Sequence, residues 1–256
     1  MTAFLVVACA VLGLVVGSFL NVVIHRVPRK ESVVRPRSRC PGCGNELAPR
    51  DNVPVVSWVL LKGRCRSCGE AISARYPVVE LVTAGVFAVT AARLGADAAL
   101  PAFLVVMAGL VAISAVDLER FIVPNRILYP TLFLAAPLLL IAAAVDGDWS
   151  SVRTAAIGGA VGWGLLLVVH LISPGGMGFG DVRLAGLIGM MLGWLSVGHL
   201  FVGLFLAFLA AAVVGVTLIA VGVKGRKDKV PFGPFLAAGA LLAVLFGNAI
   251  LDWYRV

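Results

Sequence analysis

Residues 102–125 read AFLVVMAGLVAISAVDLERFIVPN: an uncharged apolar run from Ala102 to Val116, closed by Asp117 and then by Glu119 and Arg120. A helix needs about 20 apolar residues to cross a bilayer, and working outward from this run finds others of its kind on both sides. The apolar stretches lie near residues 3–24, 77–95, 98–116, 127–145, 153–173, 182–196, 199–223 and 233–251, the sixth being short. The composition agrees. Of 256 residues, 61% are hydrophobic and 13% charged, with a mean hydropathy of +1.03, against about 45–50% and about 25% in ordinary globular chains. A water-soluble domain is thereby excluded, and low charge with 13 scattered prolines excludes a disordered chain or a coiled coil. The first run is too long, and lacks the basic flank and A-x-A site of a secretory signal peptide, so it is expected to remain as an anchor. The polar stretch from His25 to Tyr76 is the one sizeable insert. The expected architecture is an all-α integral membrane protein with eight transmembrane helices and a small cytoplasmic insert between the first two.

The net charge of +8 reads as topology rather than as a nucleic-acid surface. With eight spans, the insert shares a membrane side with residues 117–126, 174–183 and 224–230. These segments hold 18 of the 21 Lys and Arg, including Arg120, Arg126, Arg183, Lys224, Arg226, Lys227 and Lys229. Only Arg93, Arg153 and Arg255 fall on the other side. The positive-inside rule makes the basic side cytoplasmic and puts both termini outside. The same face would lie against anionic lipid headgroups.

The insert carries four of the five cysteines, as Cys40-Pro41-Gly42-Cys43 and Cys65-Arg66-Ser67-Cys68, each pair followed by a glycine, Gly44 and Gly69. Two such pairs in a cytoplasmic segment read as a tetrahedral four-thiolate zinc site. A closed set of four ligands leaves no position for water, so the metal would be structural and would fold an insert too small to build its own core. Free or redox-active thiols and an iron–sulfur cluster are the alternatives. Cys9, within the first apolar run, reads as a small buried hydrophobe.

Two acids occupy costly places. Asp117 ends the run quoted above, and Asp181 follows Gly175-Gly176-Met177-Gly178-Phe179-Gly180 and opens the next run. Each alone could be an interfacial Asp capping a helix. On the same membrane side, two facing carboxylates would share a proton, the ionised one activating water and the protonated one polarising a peptide carbonyl. Gly178 and Gly180, lacking side chains beside Asp181, would let a substrate backbone approach. A proton-coupled transporter could use the same two acids, and a non-catalytic assembly scaffold would need neither. Glu80, in Arg75-Tyr76-Pro77-Val78-Val79-Glu80-Leu81, is a third boundary acid that either pairs with a cytoplasmic Arg or lines the site. His25, His170 and His199 form no metal-ligand spacing, and no HExxH, GxSxG or Walker pattern is present. Gly13-x-x-x-Gly17 and Gly189-x-x-x-Gly193 read as close helix packing.

Taken in order, these motifs resemble the bacterial type IV prepilin peptidases, bifunctional leader peptidase/N-methyltransferases among the GxGD aspartyl proteases. Gly17-Ser18-Phe19-Leu20-Asn21-Val22-Val23-Ile24-His25-Arg26-Val27-Pro28 is similar to that family's N-terminal signature, followed by the paired-cysteine insert and the segment from Arg75 to Leu81. Asp117 with Val123-Pro124 matches the first catalytic motif, Gly178-Phe179-Gly180-Asp181 the second, and Val230-Pro231-Phe232-Gly233-Pro234-Phe235 the signature before the last span. Where the family often has an acid after the Pro of the first motif, this chain has Asn125.

The resemblance implies a bacterial inner-membrane enzyme whose site faces the cytoplasm. It would cleave the short basic leader of prepilins or pseudopilins and methylate the new N-terminus with S-adenosylmethionine. Asp117 and Asp181 would be the catalytic pair, with Glu80, Gly178 and Gly180 as candidate substrate or cofactor contacts and Cys40, Cys43, Cys65 and Cys68 as metal ligands. Residues 1–76 would form the first helix and the zinc insert, and residues 77–256 a seven-helix peptidase domain. No glycine fingerprint of a Rossmann-type methyltransferase is present.

Overall fold

The structure is a computed structural model that describes residues 2–35, 38–40, 42–173, 176–223, 225 and 230–254. Arg37, Lys224, Arg226, Lys227, Lys229 and Arg255, whose charges enter the orientation reading, lie outside the described residues, as do Pro41 and Gly175 of the quoted motifs. The chain is helical: α1 (Thr2–Arg26), the short α2 (Val56–Leu60), α3 (Arg75–Leu94), α4 (Leu100–Arg120), α5 (Asn125–Asp146), α6 (Trp149–Ile172), α7 (Phe179–Leu195), α8 (Val197–Ala220) and α9 (Gly233–Tyr254). Seven of these, all but α2 and α7, are long and apolar enough to cross a membrane. The sixth apolar run, expected as a span over 182–196, is α7. At 17 residues and about 1.5 Å per residue it is shorter than the roughly 30 Å hydrocarbon layer. It has another character too: 11 of its residues are buried, and it packs on α4, α5, α6, α8 and α9. It is enclosed by its neighbours along most of its length.

The chain packs as two compact units, residues 1–95 and 96–256. In the first, α1 lies along α3 with glycines at the seam: a Cβ on Gly13 would come within 2.7 Å of Ala84 Cα, and one on Gly17 within 2.7 Å of Glu80 Cα. In the second, the most extensive packing is α6 on α7, followed by α8 on α9. Gly193 faces the Thr154 carbonyl and Gly162 the Ala185 carbonyl, each at 2.5 Å from where a Cβ would sit, and Gly158 meets Gly189 backbone to backbone. Lipid tails are as apolar as leucine, so membrane helices gain from close van der Waals contact, and small residues permit it. α4, which carries Asp117, packs on α5, α9 and α7 and is buried along most of its length.

Candidate active site

Asp117 lies in the last turn of α4 and Asp181 in the first turn of α7, two helices of the same unit that pack on each other. Both side chains are buried, at 4% and 8% exposure. Local chain geometry explains how they meet. α4 ends at Phe121, whose left-handed conformation (φ +57°) turns the chain while its N–H bonds the Asp117 carbonyl at 2.9 Å. The turn lays Val123 against Gly180, where a Cβ would stand 2.8 Å from the Val123 Cβ. The space left by Gly180 is therefore filled by the loop of the first motif, and the two motifs interlock there.

The carboxylates lie close enough to interact electrostatically, and each is held by a glycine N–H. Gly178 donates to Asp181 Oδ2 at 3.2 Å, and Gly233 donates to Asp117 Oδ2 at 2.9 Å. Among the described residues, no hydrogen bond reaches the other oxygen of either group. One oxygen of each acid is thus fixed by a backbone N–H. Gly233, at the start of α9, is a site residue that sequence reasoning quoted in a signature without giving it a role. A Cβ there would press within 2.9 Å of Asp117 Oδ2.

Residues read as topology signals or as isolated also gather at α7. The His170 ring bonds the Met177 carbonyl at 2.8 Å through Nδ1 and lies 5.7 Å from the Phe179 ring. The Arg183 guanidinium lies over the Phe179 ring at 4.8 Å and donates through Nη1 to Asn125 Oδ1. The loop entering Asp181 is braced by these contacts. The Asn125–Arg183 bond also ties the start of α5, just after the first motif, to α7. That link has no local sequence signal, because its partners are 58 residues apart.

The insert of the first unit folds as two matching knuckles. Cys40 N–H bonds the Asn45 carbonyl and Gly44 N–H the Cys40 carbonyl; Cys65 N–H bonds the Glu70 carbonyl and Gly69 N–H the Cys65 carbonyl. Gly44 (φ +71°) and Gly69 (φ +73°) take the left-handed conformation that each knuckle requires. The four sulfurs lie within 4.8 Å of one another, and Cys40 Sγ and Cys68 Sγ are 3.7 Å apart. A tetrahedron with metal–sulfur bonds of about 2.3 Å has edges of about 3.8 Å, so the cluster has the size to hold a metal ion. Its electrostatics point the same way. Backbone N–H groups of Cys68 and Ser67 draw the Cys65 thiol down to about 7. For Cys68 the Glu70 N–H acts downward, but burial and the neighbouring sulfurs prevail and push it up to about 12. A cation held among the four sulfurs would favour their thiolate forms.

Glu80 is 6% exposed on α3. Its carboxylate accepts the Val55 N–H at 2.7 Å and a hydrogen bond from the Ser18 side chain. It joins α1, α3 and the insert within the first unit.

Two buried, glycine-anchored aspartates in a helical, multi-pass membrane protein are a constellation that an aspartyl peptidase could use. Comparison with known proteins specifies the family. Residues 11–94 match the bacterial peptidase A24 N-terminal domain, and residues 104–219 match the type IV leader peptidase family. The chain is 36% identical over 245 residues to a prepilin leader peptidase/N-methyltransferase of Bacillus subtilis, covering 95% of each. It is 35% identical over 272 residues to one of Aeromonas salmonicida (94% of this chain, 91% of that one) and 32% over 277 residues to one of Pseudomonas aeruginosa (97% and 93%). No solved structure matches it significantly. This chain belongs to the type IV leader peptidase family.

Proposed function

We propose that this protein is a membrane-embedded aspartyl endopeptidase that removes the short basic leader of type IV prepilins or pseudopilins at the cytoplasmic face of the bacterial inner membrane, and then N-methylates the new N-terminus. The observation that carries the peptidase reading is the pair of buried carboxylates, Asp117 and Asp181, each held through one oxygen by a glycine N–H. The methylation reading is supported by the names of the relatives, which are prepilin leader peptidase/N-methyltransferases.

In the peptidase step the ionised member of the pair takes a proton from water as the water oxygen attacks the scissile carbonyl carbon. The protonated member donates to the carbonyl oxygen, giving a neutral tetrahedral diol. Collapse of the diol breaks the C–N bond: one diol hydroxyl returns its proton to the ionised acid as the carbonyl re-forms, while the leaving nitrogen takes a proton from the protonated acid. The pair ends as it began, with one proton between two acids. Gly178 and Gly233 hold the carboxylates in register, and burial keeps competing water away.

Zinc suits the four thiolates of Cys40, Cys43, Cys65 and Cys68, and we assign it a structural role because a closed donor set leaves no reactive position. S-adenosylmethionine, when bound, supplies an electrophilic methyl group for the amine that cleavage releases. In this reading α7 is an eighth, short crossing, the basic loops face the cytoplasm against anionic lipid, and the functional boundary falls at 76/77. Incubating the purified protein with a prepilin, with and without S-adenosylmethionine, and weighing the product tests both activities. Asp117→Ala and Asp181→Ala should each abolish leader removal while the protein still inserts in membranes. Normal processing by both single variants would overturn the dyad.

A further inference from the structure

The signature from Gly17 to Pro28 is not used by the aspartate pair, and the structure divides it between two faces of α1. Gly17 and Asn21 face α3: Gly17 admits the Glu80 backbone, and Asn21 Nδ2 donates to the Tyr76 carbonyl at 3.1 Å. Ser18, Phe19, Val22 and Arg26 recur at helical spacing on another face. With Val15 they form one wall of a cavity of about 570 Å³ whose opposite wall is the insert, including Val34, Leu47, Asn52 and Pro54. Sites for small organic ligands run to about 300–1,000 Å³.

The lining excludes one chemistry and favours another. Among the described residues it contains no Asp or Glu to perform the proton transfers of the aspartate pair, and both aspartates belong to the other unit. Among its described residues the one charged side chain is Arg26; Ser18, Ser38 and Asn52 supply hydroxyl and amide groups, and Phe19, Val22 and Leu47 supply apolar surface. An acyl chain would find no use for those polar groups. A zwitterionic amino acid joined to a nucleoside would use all three kinds: a guanidinium for its carboxylate, hydroxyls and an amide for its ribose, and an apolar ring face for its purine.

The wall beside the cavity is also held in an unfavourable conformation. Val55, next to Pro54, sits at φ +59°, a region that β-branched residues avoid. Its N–H is fixed by the Glu80 carboxylate, which also bonds Ser18 of the lining. Residues kept in such conformations cluster at ligand sites, where surrounding contacts over-determine them.

We propose that this cavity binds the methyl donor, S-adenosylmethionine, with Arg26 on the carboxylate, Phe19 against the purine, and Ser18, Ser38 and Asn52 on the ribose side. The site deepens the two-activity reading above and rests on it.

The test uses the full-length protein in detergent with zinc retained. Equilibrium binding of S-adenosylhomocysteine should be saturable for the wild type and about tenfold or more weaker for Arg26→Gln and for Val22→Trp, which fills the cavity. Unchanged zinc content and thermal unfolding would show that both variants are folded. Ultraviolet crosslinking of radiolabelled S-adenosylmethionine to the wild type, followed by peptide mapping, should place the label within residues 15–54. Label confined to residues 96–256, or wild-type binding by both folded variants, would overturn the site while leaving the two-activity reading intact. A cleaved prepilin that never gains a methyl group from the wild type would overturn the two-activity reading, and this site with it.

Discussion

Two glycine N–H groups do at the aspartate pair what a side chain could not do in the same space. Gly233 donates at 2.9 Å to an oxygen of Asp117, and an added Cβ would stand 2.9 Å from that same oxygen. Gly233→Ala is therefore expected to displace the carboxylate without unfolding α9. Misplacing a catalytic group by a fraction of an ångström to one ångström costs about tenfold to a hundredfold. The measurement is kcat for leader removal in detergent, with KM less affected because the glycine does not bind substrate. Asp117→Asn and Asp181→Asn keep the volume and remove the proton chemistry, and should each lose about a hundredfold to ten-thousandfold in kcat. At this scale Asp117 and Asp181 were legible as acids in costly places. Gly233 was legible only as part of a signature, because a backbone N–H has no residue-type signature of its own. Gly180 was expected to make room for substrate, and its vacant side-chain position holds Val123.

The insert and the α6–α7 pair show how elements are held by opposite means. The two knuckles repeat the same pair of backbone bonds around Gly44 and Gly69, and four clustered sulfurs close the fold where there is little apolar core. Metal binding in such a segment is folding free energy. A strong chelator, or Cys40→Ser, should release zinc and open backbone amides of residues 38–72 to hydrogen exchange, leaving amides of α6 and α7 protected. A smaller effect belongs to Asp51, which Arg66 contacts at 2.8 Å. The Arg66 hydrogen bond holds the Asp51 carboxyl below the ordinary carboxylate range. Its contribution is then present above the unfolded value of about 3.9 and is lost as pH falls through the lower folded value. Asp51→Asn should weaken insert protection at neutral pH and match the wild type once pH drops below that folded value. α6 and α7, in contrast, depend on backbone contact. Gly158 meets Gly189 directly, so Gly158→Leu should separate the helices and cost more than about 3 kcal/mol, read as a lowered detergent-unfolding temperature. Gly189-x-x-x-Gly193 announced close packing, but its partner, Gly158, could not be read from a spacing within one helix.

On the scale of the whole molecule, two compact units divide the polar chemistry. Residues 1–95 hold the cysteines, Glu80 and the cavity beside α1; residues 96–256 hold the aspartate pair. Loss of the metal should therefore affect the two proposed activities unequally, and parallel assays of cleavage and methylation on chelator-treated protein measure it: methylation should fall first and furthest. The amino-acid sequence alone determined that this chain lives in a membrane, because burying that many apolar residues in water-soluble form would need more polar surface than 13% charged residues provide. It also picked out the four cysteines that the fold brings together and singled out the two aspartates, since thiol pairs and boundary acids are local, costly patterns. Tertiary structure alone decided that α7 is enclosed by its neighbours, that Gly233 from a distant helix holds Asp117, and that Arg183 reaches Asn125. Those are contacts between residues far apart in the chain, and hydropathy and spacing carry no information about which distant surfaces meet.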